Sequence, residues 1–419
     1  MFDRKQIIGI ILMIILLSVV SFVIYKNLNL FDTKTNTISK VDTTLSKLNK
    51  SYNYTKDSSD VSHKPISALY PGFSLNGTKK LAVIMINLKN QSADSATDQE
   101  LMRQAIFTGE NSTNAFYKEN SYGLLELRGY YSKEGDIYGY YNVPYNNCIG
   151  SDIFKIYIPL AETLAKADGY SPELYDYIIL YLKGSNCKFK GDAMNDLPVG
   201  GNLSNLFSKY MFATTIDSFV VAHELGHGLG LSHSQSIICV NSENILVPTS
   251  NNCKIDEYGD SFDVMGYSKG NLNSIQKIRL GWIFPSEITI INSSGDYVIN
   301  SLELQSSIIK TLAISVPMQE TPKYYVEYRR PIGFDAKLDK NLFGGITIRT
   351  FEQFGSTQIV PRLIGVANKT KENNPYILRP GQTFEDDTNG VSITLVSMNN
   401  NSANVEVTYK KSNSLLNKK

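Results

Sequence analysis

The sequence predicts a mixed α/β (α+β) domain followed by an all-β, sandwich-like domain, with an apolar helix at the N-terminus. Three observations predict it. Between residues 80 and 182, short β-branched apolar runs alternate with segments of helical spacing, the pattern of strands and helices in layers. Beyond Pro285 the apolar period shortens to two and turn residues recur, as in a small β-sandwich. Residues 7–25 form a nineteen-residue apolar run, close to the length that crosses a bilayer as a helix.

At the N-terminus, Arg4 and Lys5 precede the run Ile7–Tyr25, which is interrupted only by Gly9, Ser18 and Ser21. The basic pair favours a cytoplasmic N-terminus, giving a single-pass membrane protein with the remainder outside. The rival is a cleaved signal peptide and a secreted product. Phe22-Val-Ile-Tyr-Lys26 offers no small-x-small cleavage site, which favours the anchor. The expected organisation is therefore an anchor at 1–26, a polar stalk or pro-segment at 27–75 and the α/β domain at 76–286. A β-sandwich domain follows at 287–411 and a flexible tail at 412–419. A net charge of +1 over 419 residues argues against a nucleic-acid partner.

The elements follow in order. Lys80–Asn87 reads as a buried strand, and Asp98–Phe107 carries helical spacing. Phe116–Gly123 leads into a strand-like Leu124–Arg128. Ser151–Asp168 is a predicted helix with Ile153, Ile156, Leu160, Leu164 and Ala167 on one face, and Tyr175–Leu182 is another buried strand. Lys183–Met211 is irregular, either shaping a site or merely connecting. A loop is expected from His233 to Glu257, and Asn273–Gly281 reads as a capped helix. Candidate strands beyond it are 288–292, 297–299, 310–316, 324–329, 345–350, 391–397 and 403–409.

The four cysteines, Cys148, Cys187, Cys239 and Cys253, show no C-x-x-C spacing, so a thiolate metal site is not expected. In an exported chain they suggest two disulfides, with Cys239–Cys253 and Cys148–Cys187 favoured over the other connectivities and over buried free thiols.

The stretch Val221-Ala-His-Glu-Leu-Gly-His-Gly-Leu-Gly-Leu-Ser-His233 carries the chemistry. It sets His223, Glu224, His227, Gly230 and His233 in the pattern H-E-x-x-H-x-x-G-x-x-H. On a helix, His223 and His227 lie about 40° apart around the axis, and Glu224 about 100° from His223, so all three reach one cleft. Val221, Leu225 and Leu229 make an apolar stripe on the far side. Thr214, Thr215 or Asp217 is expected to cap the helix. Gly230 ends it in a left-handed turn that delivers His233. Three neutral imidazoles with an open position suit a catalytic Zn2+, and the adjacent Glu224 carboxylate is the expected general base. A chance H-E-x-x-H on an amphipathic helix is the alternative. Against it, Gly230 and His233 stand at the required offsets, and only His63 of the four histidines lies outside the motif.

With the extended motif and Met265, which follows His233 by 32 residues in Asp263-Val-Met-Gly-Tyr267, the chain resembles the metzincin metallopeptidases. Within them it is most similar to the gametolysin-like group, with some similarity to the immune-inhibitor-A group. The resemblance is carried by Glu119-Asn-Ser-Tyr-Gly123, the zinc helix, Tyr258–Gly266, Asn273–Trp282 and Tyr324–Phe334, and spans roughly Lys80 to Tyr409. It implies a zinc endopeptidase acting on extracellular or cell-wall proteins, with Met265 in a tight turn beneath the site. Tyr267 resembles a tyrosine that some metzincins place near the metal, where it would donate to the oxyanion. Its other reading is a packed residue of the turn. Asp256, Glu257, Asp260 and Asp263 could hold Ca2+ or anchor the turn, so no Ca2+ ligand is assigned. The β region is expected to bind carbohydrate or protein, or only to buttress the catalytic domain. The rival function is a catalytically silent cell-surface adhesion protein working through that region.

Overall fold

The computed structural model describes residues 69, 74–89, 95–145, 156–183, 191–193, 209–305, 308–317, 319, 321–354, 358–366 and 374–410. They belong to one compact unit, residues 62–419.

The first sheet grows around β1 (Gly77–Asn87), where Leu81 to Ile86 are apolar without interruption. Successive strand side chains point to opposite faces. Leu81, Val83 and Met85 therefore enter one core, while Ala82, Ile84 and Ile86 enter another. After β1 come α1 (Ser95–Arg103), α2 (Thr113–Asn120), β2 (Leu125–Arg128), β3 (Asp136–Asn142) and α3 (Ile158–Ala165). Next are β4 (Tyr177–Lys183), β5 (Gly191–Ala193) and β6 (Tyr210–Ala213). The order is β2-β1-β4-β6-β5, with β3 beside β1. Every pairing is parallel except β5 on β6. A parallel sheet must be covered on both faces. Ile158, Ala161 and Ala165 of α3 cover one face, and Val221, Ala222 and Leu225 of α4 (Ser218–Gly228) the other.

Residues 234–257 are not the expected loop. They form β7 (Gln235–Val240), β8 (Leu246–Val247) and β9 (Cys253–Asp256), with β8 and β9 both antiparallel to β7. The Cys239–Cys253 disulfide closes this hairpin. The signal was present in the β-branched run of Gln235-Ser-Ile-Ile-Cys-Val240. Cys148 and Cys187 lie outside the described residues.

After α5 (Ser274–Arg279) the chain is almost entirely strands. They are β10 (Ile288–Ile291), β11 (Gly295–Asn300), β12 (Thr311–Ile314), β13 (Tyr324–Tyr328) and β14 (Ile346–Phe354). They continue as β15 (Gln358–Ile364), β16 (Thr383–Asp386), β17 (Val391–Met398) and β18 (Ser402–Tyr409). One sheet runs β10-β12-β13-β14-β15-β7-β8 with β9 on β7, and the other runs β11-β18-β17-β16. Val326 and Ile348 of the first share a core with Ile393 and Val405 of the second.

The expected fold class therefore needs correction in two respects. The described residues form a mixed α/β structure of three sheets and few, short helices. Strands from both sides of residue 286 share one sheet, because β7 pairs in parallel with β15. And among the described residues no helix is long and apolar enough to cross a membrane. The run at 7–25, read above as such a helix, lies outside the described residues, as do residues 411–419.

Candidate metal centre

Helix α4 starts because Asp217 caps it. Its Oδ1 accepts the Phe219 N–H at 2.8 Å, satisfying one of the first-turn donors. The helix ends at Gly230, whose φ of 91° lies in the left-handed region. The Leu231 N–H donates to Gly226 O at 2.9 Å and the Gly230 N–H to His227 O at 2.8 Å, the paired bonds of a Schellman turn. That reversal brings His233 back to His223 and His227. Gly230→Ala would force a Cβ into the left-handed region, and we expect about 1–2 kcal/mol lower stability. Urea unfolding of the metal-free chain measures this, and no Cβ contact obscures it, since nothing lies within 4 Å of that position.

Each imidazole has a fixed oxygen on its Nδ1. His223 Nδ1 is 2.7 Å from Val264 O, His227 Nδ1 is 2.9 Å from Leu231 O, and His233 Nδ1 is 2.8 Å from Glu257 Oε1. Acceptors at all three Nδ1 atoms place the protons there and turn the Nε2 lone pairs inward. The ligand atoms of the three residues lie within 4.8 Å of one another, and His227 Nε2 stands 3.1 Å from His233 Nε2. Two facing lone pairs at that separation suit a cation held about 2.0–2.1 Å from each nitrogen. Burial pushes His223 down to about 4 and His227 down to about 3, so both imidazoles are neutral at ordinary pH, as metal ligands must be. The residues present fit a zinc ion. Glu224 follows His223 on the helix and is buried.

The turn at Met265 touches the surroundings of all three histidines. Val264 O holds His223, and Met265 O accepts the Ser234 N–H at 2.9 Å, next to His233. The Met265 side chain is fully buried against Gly226, next to His227, where an added Cβ would stand 2.3 Å from Sδ. Tyr117 supports the helix from α2, its OH donating to Ala222 O at 2.6 Å. Burial pushes that phenol well above its ordinary value, so it stays a donor.

Tyr267 makes no ring contact with the three imidazoles. It is 86% exposed, and its N–H donates to Tyr258 O at 2.9 Å. The tyrosine that packs there is Tyr258, its ring 4.1 Å from the His233 ring and 6.1 Å from that of His223.

The carboxylates weighed for calcium are spent on the turn and on His233. Asp263 Oδ1 accepts the Met265 N–H at 2.7 Å, and Oδ2 accepts the Asn273 N–H at 2.6 Å. Asp260 Oδ2 accepts from Arg349 Nη1 at 2.7 Å. Asp256 Oδ1 accepts the Tyr258 N–H at 3.2 Å, and Glu257 holds His233. Among the described residues, His223, His227 and His233 are the one group placed to hold a metal.

Beneath the turn lies a buried polar network that sequence reasoning missed. Arg349 of β14 bridges Asp260 and Glu327, with Nη2 2.8 Å from Glu327 Oε1. Glu327 Oε2 accepts the Ser274 N–H at the start of α5 at 2.8 Å. Burial alone would raise the Glu327 carboxyl, but Arg349 and Arg329 hold it below its ordinary value. Arg329 pairs with Asp335 at 2.7 Å and donates to Asn271 O at 2.8 Å. The Asn271 amide reaches Glu119 Oε1 at 2.9 Å, and Asn120 Nδ2 donates to Asn271 Oδ1 at 2.7 Å. The stretches around Glu119, Asp260, Asn273 and Glu327, distant in sequence, thus meet in one cluster.

No family model and no curated protein matches the chain. A solved structure described as "Structure of a chaperone-substrate complex" aligns with it at 15% identity and a TM-score of 0.28. The alignment covers 49% of this chain, which spans only 34% of the length of that one.

Proposed function

We propose that the chain is a zinc-dependent endopeptidase of the metzincin kind, hydrolysing peptide bonds in extracellular or cell-surface proteins. The observation that carries this reading is the convergence of His223, His227 and His233, each oriented through Nδ1, beside Glu224. Those three residues would hold the ion. Bound there, zinc would supply Lewis acidity to a water and to the scissile carbonyl. Glu224 takes the proton of the attacking water on its carboxylate and passes it to the leaving amine. Tyr267, with its side chain in solvent, is assigned no step.

Substrate binding has a structural basis beside the helix. Among the described strands β5 pairs with β6 alone, and it lies against α4. An extended peptide can add to such an edge through main-chain hydrogen bonds, which suits a protein substrate. The Cys239–Cys253 disulfide supports an oxidising, extracytoplasmic compartment.

The test is hydrolysis of a general protein substrate by the purified chain, before and after treatment with a zinc chelator. Activity that disappears with the metal and returns on adding zinc is the expected result. An inert chain that nevertheless binds zinc would favour the silent binding-protein reading.

A further inference from the structure

Two of the three imidazoles are oriented by main-chain carbonyls, Val264 O for His223 and Leu231 O for His227. Both carbonyls belong to buried segments directly tied to the zinc helix or its turn. The third imidazole is oriented differently. His233 Nδ1 meets a side-chain carboxylate, Glu257, whose side chain is 64% exposed.

What fixes that carboxylate is the hairpin. Strand β7 begins two residues after His233, and β9 ends one residue before Glu257. The two strands pair from Ser236↔Asp256 to Cys239↔Cys253, and the disulfide joins that last pair. His233, β7, the disulfide, β9 and Glu257 therefore form a ring closed at one end by a covalent bond and at the other by one hydrogen bond. Beyond β9, Asp256 Oδ1 turns the chain by accepting the Tyr258 N–H, which lays Tyr258 against the His233 ring.

We propose that Glu257 is the positioning residue for the third metal ligand, and that the Cys239–Cys253 disulfide holds it in register, so that metal retention depends on the disulfide. The proposal rests on reading the three histidines as a zinc site. It predicts a redox response. Cys253 is exposed and Cys239 buried, so a small dithiol reaches the bond at Cys253. Its thiolate attacks Cys253 Sγ, and Cys239 leaves as a thiolate and takes up a proton. The reagent's second thiol then closes its own disulfide and frees Cys253, so one dithiol is oxidised for each disulfide reduced. Freed of the tie, β9 can slip and Glu257 can leave His233.

Zinc itself is the probe. The full chain is loaded with one zinc equivalent, and transfer to a chromogenic chelator is timed for the wild type, Glu257→Ala, Glu257→Gln and Cys239→Ser/Cys253→Ser. In parallel, Co2+ replaces zinc and its visible bands report ligand geometry. Losing the partner of a metal-bound imidazole typically costs about 10–100-fold in metal affinity, so Glu257→Ala should release zinc faster by roughly that factor. Glu257→Gln should fall between it and the wild type, since its amide oxygen still accepts from Nδ1 without the charge. Thermal unfolding of metal-free Glu257→Ala should match the wild type, because the side chain is exposed. The disulfide variant and the dithiol-treated wild type should release zinc at the rate of Glu257→Ala, and the triple variant Glu257→Ala/Cys239→Ser/Cys253→Ser no faster, because both changes act through one contact.

Wild-type release rates and cobalt bands in Glu257→Ala would overturn the proposal. So would an additive loss in the triple variant, which would mean that the disulfide acts elsewhere. A wild type that binds no stoichiometric zinc would instead defeat the underlying reading, and that outcome is separate from the others.

Discussion

Glu224→Gln is expected to lower kcat/KM on a protein substrate by about 10²–10⁴-fold while the chain still binds one zinc ion. On the proposed reading the three imidazoles are the protein's share of a catalytic zinc site, and the adjacent carboxylate takes the proton-transfer role. Glu224 is buried, which makes alanine a poor choice on its own, because it would add a cavity to the chemical change. Glutamine keeps the volume and cannot accept the proton. Equal loss in kcat and kcat/KM would locate the effect in the transition state rather than in binding. The assay pairs cleavage of a quenched peptide with metal content by atomic emission. Retained activity would remove Glu224 from the proton-transfer step, and lost zinc would make it a ligand or a support.

The convergence of the three histidines was more legible in the sequence than the fold around it, for a physical reason. Ligand geometry on one helix follows from 3.6 residues per turn, so His223, Glu224 and His227 could be placed by counting. Gly230 could be placed because only a left-handed turn returns the chain within six residues of His227. Strands 235–240 and 253–256 were read as a loop, although the β-branched run at 235–240 carried a strand signal. The pairing of β7 is partly non-local, since β7 also joins β15, more than a hundred residues later. Strands 136–142 and 210–213 were missed for the same reason, and 358–364 and 383–386 although their partners are adjacent in the chain. Period-two patterns in short segments rich in Tyr and Thr are weak until a neighbour is known. Tyr258 and Tyr267 show the limit at the site itself. They stand nine residues apart, and only the path of the hairpin decides which ring meets His233. The buried network was invisible for another reason. Nothing local marks Arg349 as a buried cation, yet it joins a carboxylate from the turn to one from β13.

Arg349→Met should therefore cost about 3–5 kcal/mol, because it leaves Asp260 and Glu327 buried without their cation. The loss is expected to reach the metal centre. Asp260 Oδ1 accepts the Phe262 N–H at 3.0 Å, and the Asp260 N–H donates to Ser234 O at 3.2 Å, so a displaced Asp260 disturbs both the Met265 turn and the residue after His233. Urea unfolding of the metal-free chain gives the stability, and zinc transfer to a chelator gives the local effect. The triple variant Arg349→Met/Asp260→Asn/Glu327→Gln separates charge from packing. With the uncompensated charges removed, it should recover part of the lost stability, and failure to recover any would assign the cost to the lost guanidinium volume. An unchanged midpoint in Arg349→Met would show that the strands beyond residue 287 do not brace the turn. The expected result makes those strands part of the unit that builds the candidate metal centre. The floor beneath the zinc helix then comes from β13 and β14 as much as from the motif, and a fragment ending near Pro285 would leave Asp260 without Arg349.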